Sequence, residues 1–445
     1  MSKRKVEKYI APAGIDLPDR QWPTRAITRS PIWCSVDLRD GNQALPNPLN
    51  PDAKLEYFQL LCRIGLKQIE VAFPSASQDD FDFTRRLIEE DHIGDDMFIM
   101  GLTQCREHLV DRTFEALAGI PRAIVHAYVA TSQLHMQQVL GLSAEQTIAT
   151  AVRTAAQVRD LAGTMNQSDI RFEFSPEEYT DSDFEFVLEL CEAVFETWDR
   201  ASVRKPMIFN LPATVERRPP NHYADMIELF ARRFSRRDEI LISLHSHNDQ
   251  GMAVAATELA LLAGADRVEG TLFGHGERTG NVDLVVIANN LMVRGIQTHL
   301  DFSNLELIAS TVERLTGMKV YYRQPYSGEF VFTAFSGSHQ DAIRKGMAKR
   351  NDAAEMFGIG WKVPYLHIDP ADIGRKYEGL IRINSQSGKG GVAWVLEQDH
   401  GLEIPKPMLP ELGKAVQVCS DRLGRELDSP EVLDIFEKEF IRPAG

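Results

Sequence analysis

Cysteine is scarce in this sequence of 445 residues: five in all, an odd number, scattered at Cys34, Cys62, Cys105, Cys191 and Cys419 with no C-x-x-C pair. That argues against a disulfide framework and against a thiolate zinc site, and fits reduced, mostly buried thiols. Positive charge is in deficit, and the formal net charge of −15 argues against a nucleic-acid partner, because phosphate binding needs a basic surface that releases counterions. Any anionic substrate must therefore be met by a local cluster of donors. No segment approaches the ~18 uninterrupted apolar residues of a membrane span. The basic start MSKRKVEKYI is followed by APAGIDLPDRQWP rather than by an apolar core and a small-residue cleavage site, so it does not read as a secretory signal. The expectation is a soluble, cytoplasmic protein. Two phosphate-binding motifs are missing as well. The first candidate βα turn, DLRDGNQAL, lacks G-x-G-x-x-G, and in SQSGKGG (Ser385 to Gly391) a Gly follows the Lys where a phosphate loop needs Ser or Thr. The second segment reads as a tight turn with glycines at positive φ.

What is present is a rhythm. With 43% hydrophobic and 25% charged residues the composition is ordinary for a globular protein, and the length predicts one large domain and a smaller second one. From residue 31 to about 295, short β-branched runs alternate with longer amphipathic stretches. The strand candidates are IWCSVDL, LKQIEVAF, MFIMGLT, AIVHAYVA, IRFEFS, PMIFNL, EILISLH and RVEGTLF; DAKLEYFQLLCRIG and AEQTIATAVRTAAQVRDLAG are helix-patterned segments between them. Eight such units in about 265 residues predict an α/β fold of the (β/α)8 TIM-barrel type, with an open doubly wound sheet as the alternative. The expected division is an N-terminal extension over 1–30, the barrel over 31–300, and a mostly helical accessory region over 301–445. In the last, DFSNLELIASTVERLTG reads as a helix and YYRQPYSGEFVFTAFSGSHQDAIRKGM as extended, then helical.

Reactive groups of a barrel belong at the C-terminal ends of its strands. The first strand ends in Asp37-Leu38-Arg39-Asp40-Gly41-Asn42-Gln43 and the seventh in His245-Ser246-His247-Asn248-Asp249. Residues at i and i+2 of a strand share a face, so His245 and His247 can offer imidazoles to one ion. Alone the H-x-H is weak, since twelve histidines produce such a pair easily by chance. The loop Gly274-His275-Gly276-Glu277-Arg278-Thr279-Gly280-Asn281 after the eighth strand comes to lie beside strands seven and one when a barrel closes. Asp40, His245, His247 and Asn281 can then meet as a borderline donor set suited to zinc, manganese or magnesium. Such an ion chelates a 2-oxo acid and polarises its carbonyl. Arg39 beside it can stabilise negative charge on an enolate or alkoxide, or serve as a structural partner of Asp37 or Asp40.

The runs DLRDGNQAL, LHSHNDQG, GTLFGHGERTGNVDL, FSPEEYTDSDF, NLPATVE, FSGSHQDAI and VPYLHIDPADIGRKYE with LIRINSQSGKGG together resemble the 2-isopropylmalate synthase family, in its longer fungal and actinobacterial type, over nearly the whole chain. The resemblance implies an acyltransferase that joins acetyl-CoA to 2-oxoisovalerate by a Claisen condensation, in the first committed step of leucine biosynthesis. It also implies a divalent metal ion (Mg, Mn or Zn) on Asp40, His245, His247 and Asn281, with Arg39 over the reacting oxygen. By matching segments, Leu102, His126, Tyr128 and Ser175 form the pocket for the branched tail, and Thr214 donates to the carboxylate. Glu177 and His339 are the candidate bases for the acetyl methyl proton, His339 reaching in from the partner of a homodimer, with Tyr365 near the same mouth. Plainer readings stand beside these: His126 as a hydrogen-bonded core histidine, and Glu177 as a first-turn carboxylate of the following helix. Relatives of this type carry a further C-terminal leucine-binding domain, and this chain stops at IFEKEFIRPAG, where that domain would begin. A homocitrate or citramalate synthase is the nearest alternative activity, although no Arg or Lys for a second carboxylate is evident near Leu102 and His126. A catalytically silent metal-binding scaffold is the alternative of another class.

Overall fold

All eight apolar runs form strands. In the computed structural model, which describes residues 8–334, 336–358, 360–377, 388–423 and 427–441, they are β1 (Ile32–Ser35), β2 (Gln68–Ala72), β3 (Phe98–Gln104), β4 (Arg122–Ala130), β5 (Asp169–Glu177), β6 (Met207–Asn210), β7 (Ile240–His245) and β8 (Arg267–Gly270). Each pairs in parallel with the next, and β1 pairs with β8 from Ile32↔Arg267 to Ser35↔Gly270, so the sheet closes into a barrel. The helices between them are α1 (Pro51–Ile64), α2 (Gln78–Glu89), α3 (Glu107–Ala116), α4 (Ala144–Thr164), α5 (Phe184–Trp198), α6 (Pro220–Arg233) and α7 (Ala253–Leu262), with α8 (Leu284–Met292) after β8.

Local sequence sets the ends of these helices. Asn50 caps α1 by accepting from the Ala53 amide at 2.9 Å, and Gly65, in a left-handed conformation at φ +103°, stops it. Ser143 and Gln146 form a reciprocal capping box at the start of α4. Parallel barrel strands are covered on both faces, which is why the runs are nearly continuous in apolar residues. Cys34, Met100, Ile124 and Ile208, from four strands not all adjacent, form one buried cluster with Val36 just past β1, a contact made across the lumen. Ahead of the barrel, Trp22 is buried and its Nε1 donates to Asp225 of α6 at 2.7 Å.

The chain divides into two units, Met1–Asp301 with Val312–Met318, and Phe302–Thr311 with Lys319–Gly445. α9 (Leu305–Thr316) is the helix expected at DFSNLELIASTVERLTG. The second unit contains α10 (Gly337–Ala348), α11 (Arg350–Phe357), α12 (Gly388–His400), α13 (Leu409–Leu423) and α14 (Ser429–Phe440). Val392, Val395, Leu396, Leu412, Val416, Val432 and Phe436 from its last three helices pack into a core.

Two expectations change here. Residues 321–334 wind through successive turns rather than extending. Of the SQSGKGG turn, residues 385–387 lie outside the described residues, and Gly388–Gly391 open α12. Val392, Val395 and Leu396 are buried at helical spacing, and their packing carries the helix back through the glycines. No helix among the described residues is long and apolar enough to cross a membrane.

Candidate metal centre and substrate cavity

After β1 the chain tightens into a π-helical turn, Asp37–Gly41. Asp37 fixes it: its carboxylate accepts from Ser35 Oγ at 2.7 Å, from Tyr57 Oη of α1 at 2.7 Å, and from the Leu272 amide beyond β8 at 3.0 Å. The turn therefore directs Arg39 and Asp40 toward the strand ends. Asp40, His245 and His247 are all buried, and one donor atom from each lies within 4.8 Å of the others. His245 Nε2 is 3.4 Å and His247 Nε2 3.7 Å from Asp40 Oδ2. His245 is the last residue of β7, and His247, expected on the same strand, sits just beyond it in a bridge with Asn281. Asn281 Nδ2 donates to Asp40 Oδ2 at 2.6 Å. Its Oδ1, like His247 Nδ1, is buried without a hydrogen-bond partner among the described residues. Two imidazoles, a carboxylate and an amide with an unused carbonyl oxygen fit a divalent cation.

Electrostatics divide the two histidines. Burial opposes charging His245, but its hydrogen bonds to Asp40 and Glu269 outweigh that and push its pKa up to about 9. Burial, then the neighbouring His245, lower that of His247 to about 4. Burial also opposes ionisation of Asp40, yet the Arg39 guanidinium and His245 hold it well below the usual carboxylate range.

Arg39 pairs chiefly with Glu70 of β2, with Asp40 at 3.6 Å, and not with Asp37. Glu70 is fully buried, and its other oxygen is 3.0 Å from His126 Nδ1. His126 Nε2 in turn is 2.7 Å from Ser175 Oγ. The core-histidine reading of His126 is thus accurate as to bonding, while the same ring also faces a cavity. That cavity, of about 180 Å³, is lined by Arg39, Leu102, His126, Tyr128, Ser175, Glu177, Thr214, His245 and His247, together with Gln43, Phe73, Asn210 and Pro212. Glu177 ends β5, seven residues ahead of α5, so it is not a first-turn carboxylate of that helix. Burial raises its pKa, against the nearby His135. Thr214 Oγ1 accepts from the Glu178 amide at 2.9 Å. His339 and Tyr365 belong to the second unit, where both are exposed and their rings stack at 4.0 Å between centroids. Tyr365 has φ +63°, a strained value for a non-glycine residue.

Sequence reasoning missed Glu70 and Glu269, which hold Arg39 and His245. Their trace in the sequence is a pair of polar i, i+2 positions inside apolar runs, Gln68/Glu70 and Arg267/Glu269, which shows a shared face without showing which face it is.

A family model described as HMGL-like matches residues 30–312, and a second, described as alpha-isopropylmalate synthase, post-catalytic domain-like, matches residues 329–397. Over 444 residues the chain is 50% identical to a 2-isopropylmalate synthase of Paraburkholderia xenovorans, covering 100% of this chain and 77% of the relative. It is 51% identical over 439 residues to a 2-isopropylmalate synthase of Rhodospirillum rubrum, covering 98% of this chain and 77% of the relative. Among solved structures, a hydroxymethylglutaryl-CoA lyase from Pseudomonas aeruginosa superposes with a TM-score of 0.53 at 19% identity, over 66% of this chain and 95% of that one, a likeness of fold.

Proposed function

We infer that this chain, which belongs to the HMGL-like family and within it to the 2-isopropylmalate synthases, condenses acetyl-CoA with 2-oxoisovalerate to give 2-isopropylmalate and CoA, the entry step of leucine synthesis. The observation that carries the reading is identity near 50% along nearly the whole chain to relatives of that name. The cavity supports it. Arg39 is the one permanent cation among its lining residues, and Glu70 already holds it, so a second substrate carboxylate has no free counter-charge there. Leu102, with the faces of His126 and Tyr128, offers the apolar surface that a branched tail needs.

Asp40, His245, His247 and Asn281 would hold a divalent ion, magnesium, manganese or zinc. When bound, it supplies Lewis acidity to the keto and carboxylate oxygens of the oxo acid. Thr214 donates a hydrogen bond to the substrate carboxylate. Glu177 takes a proton from the acetyl methyl group, the methyl carbon bonds to the keto carbon, and Arg39 faces the negative charge that develops on oxygen. Water then cleaves the thioester and releases CoA. His339 and Tyr365 serve the mouth of a second copy, so the working form is a homodimer with isologous contacts. The exposure of both rings and the strained backbone of Tyr365 support that assignment. The compartment is the cytoplasm.

A substrate panel of 2-oxoisovalerate, pyruvate and 2-oxoglutarate, read by the free thiol of released CoA, tests the reading. Preference for 2-oxoisovalerate is expected. Preference for 2-oxoglutarate overturns it, and metal and oxo-acid binding without any CoA release favours a silent scaffold.

A further inference from the structure

In the barrel lumen the carboxylate of Glu269 is fully buried, and four donors converge on its two oxygens beside the Glu173 carboxyl, which burial pushes toward its protonated, donating form. Oε1 accepts from Ser243 Oγ at 2.8 Å and from the Arg267 guanidinium. Oε2 accepts from His245 Nδ1 at 2.9 Å and from Asn210 Nδ2 at 3.2 Å. Arg267 is itself wholly buried and spans the lumen, donating to Gln68 of β2 at 2.7 Å, to Glu173 of β5 at 3.2 Å and to Ser243 of β7 at 2.7 Å. The opposite edge of the His245 ring, Nε2, faces Asp40. His247 has no comparable support, since its Nδ1 lacks a partner among the described residues.

We propose that Glu269 is a positioning residue that pins His245 with its Nδ1–H on Glu269 Oε2, leaving the Nε2 lone pair for the metal ion, and that Arg267 in turn pins Glu269. This deepens the synthase reading and rests on His245 being a ligand. The chemistry requires a carboxylate. Every partner of Glu269 donates here, and an ionised carboxylate is the side chain that accepts on both oxygens. An amide at the same place must turn its NH2 toward two donors. Arg267 is permanently charged and has donors only, so it cannot accept from an NH2 as the His245 ring can, and it keeps the oxygen. The NH2 then faces His245, whose Nδ1 has to accept, and the ring proton moves to Nε2, where it blocks coordination. The partner of a ligating histidine sets its tautomer in this way generally, and losing that partner weakens metal binding by roughly 10- to 100-fold.

The test uses the full chain, stripped by a chelator and titrated with Zn²⁺ against a chromophoric competitor, with thermal melts of each metal-free variant as the folding control. Glu269→Gln is expected to raise Kd about 10- to 100-fold. Ser243→Ala takes a donor from the other oxygen of the same buried carboxylate but leaves the Glu269–His245 bond in place, and is expected to raise Kd far less than Glu269→Gln does. In zinc-loaded wild-type protein carrying 15N-histidine, His245 is expected as the Nδ1–H form, a readout that holds even where Glu269→Gln does not fold. Glu269→Gln binding zinc as wild type does, Ser243→Ala losing as much affinity as Glu269→Gln, or an Nε2–H ring in the wild type each overturn the proposal. Should His245→Ala bind zinc like wild type, the ligand reading beneath it fails; a defect in His245→Ala with none in Glu269→Gln sinks the positioning role alone.

Discussion

Gly280→Ala tests whether the loop after β8 is a template for the metal centre, because it alters no candidate ligand. Gly280 has φ +89°, which costs an alanine roughly 1–2 kcal/mol. Its Cβ would also stand 1.7 Å from the carbonyl oxygen of Gly274, where real Cβ contacts stay beyond 3.0 Å. That carbonyl is backbone and must retreat by more than about 1 Å, an overpacking strain of order 1–3 kcal/mol. It cannot do so alone. Gly280 N bonds Glu277 O at 2.9 Å, Asn248 N bonds Gly280 O at 3.0 Å, and Asn281 N bonds His275 O at 3.1 Å, so the shift passes directly to Asn281. The combined cost of about 3 kcal/mol lowers Tm by roughly 5–10 °C and leaves the barrel folded by circular dichroism. Zinc or manganese affinity, measured calorimetrically, falls at least about 10-fold, and turnover falls with it. A folded Gly280→Ala protein with wild-type metal affinity refutes the reasoning, and with it the place of Asn281 in the donor set.

Arg39→Lys keeps the metal but loses about 100-fold or more in kcat, since an ammonium cannot hold Glu70 and face the reacting oxygen with one planar fork; an unchanged kcat removes Arg39 from the chemistry. The acidic limb of the kcat profile lies above the ordinary glutamate range near about pH 4.3. Burial favours the neutral form of Glu177, so the base form appears only at higher pH and activity is lost as pH falls through its raised pKa. Persistence of the limb in residual Glu177→Gln activity assigns it elsewhere. Inactive Arg39→Ala and His339→Ala subunits, mixed to form hybrid dimers, regain activity because one of the two sites carries both intact residues. Hybrids that form without activity disprove the shared site.

Every strand of the barrel was legible because burial on both faces leaves long β-branched runs, a signal that local sequence carries by itself. The residues gathered around the cavity were legible for a different reason: polar groups such as Asp40 and His245 stand at the ends of those runs, where a barrel places its chemistry. Glu70, Glu173, Arg267 and Glu269 were not legible. Period two does not distinguish the lumen from the helix-facing side when both are buried, and a charge inside an apolar run reads as an interruption until the strand opposite supplies its partner. Residues 321–334 were misread as extended because aromatic residues such as Tyr321, Tyr322 and Phe330 favour strands locally. Tyr322 and Phe330 instead stack on each other at 5.5 Å across a chain of turns.

Asp40 follows the first strand and Asn281 the last, 241 residues apart, yet their side chains touch. During synthesis at about 5–20 residues per second, on the order of ten seconds or more separates the emergence of the two from the ribosome. A nascent chain ending before β8 has the carboxylate and both imidazoles, but lacks the strand that closes the sheet on β1 and the loop bearing the amide. An ion held by all four residues would therefore find its complete donor set only once the barrel has closed. Bound there, it would add stability in proportion to the logarithm of free metal over Kd. Metal starvation would accordingly withdraw that stability from completed molecules in the cell.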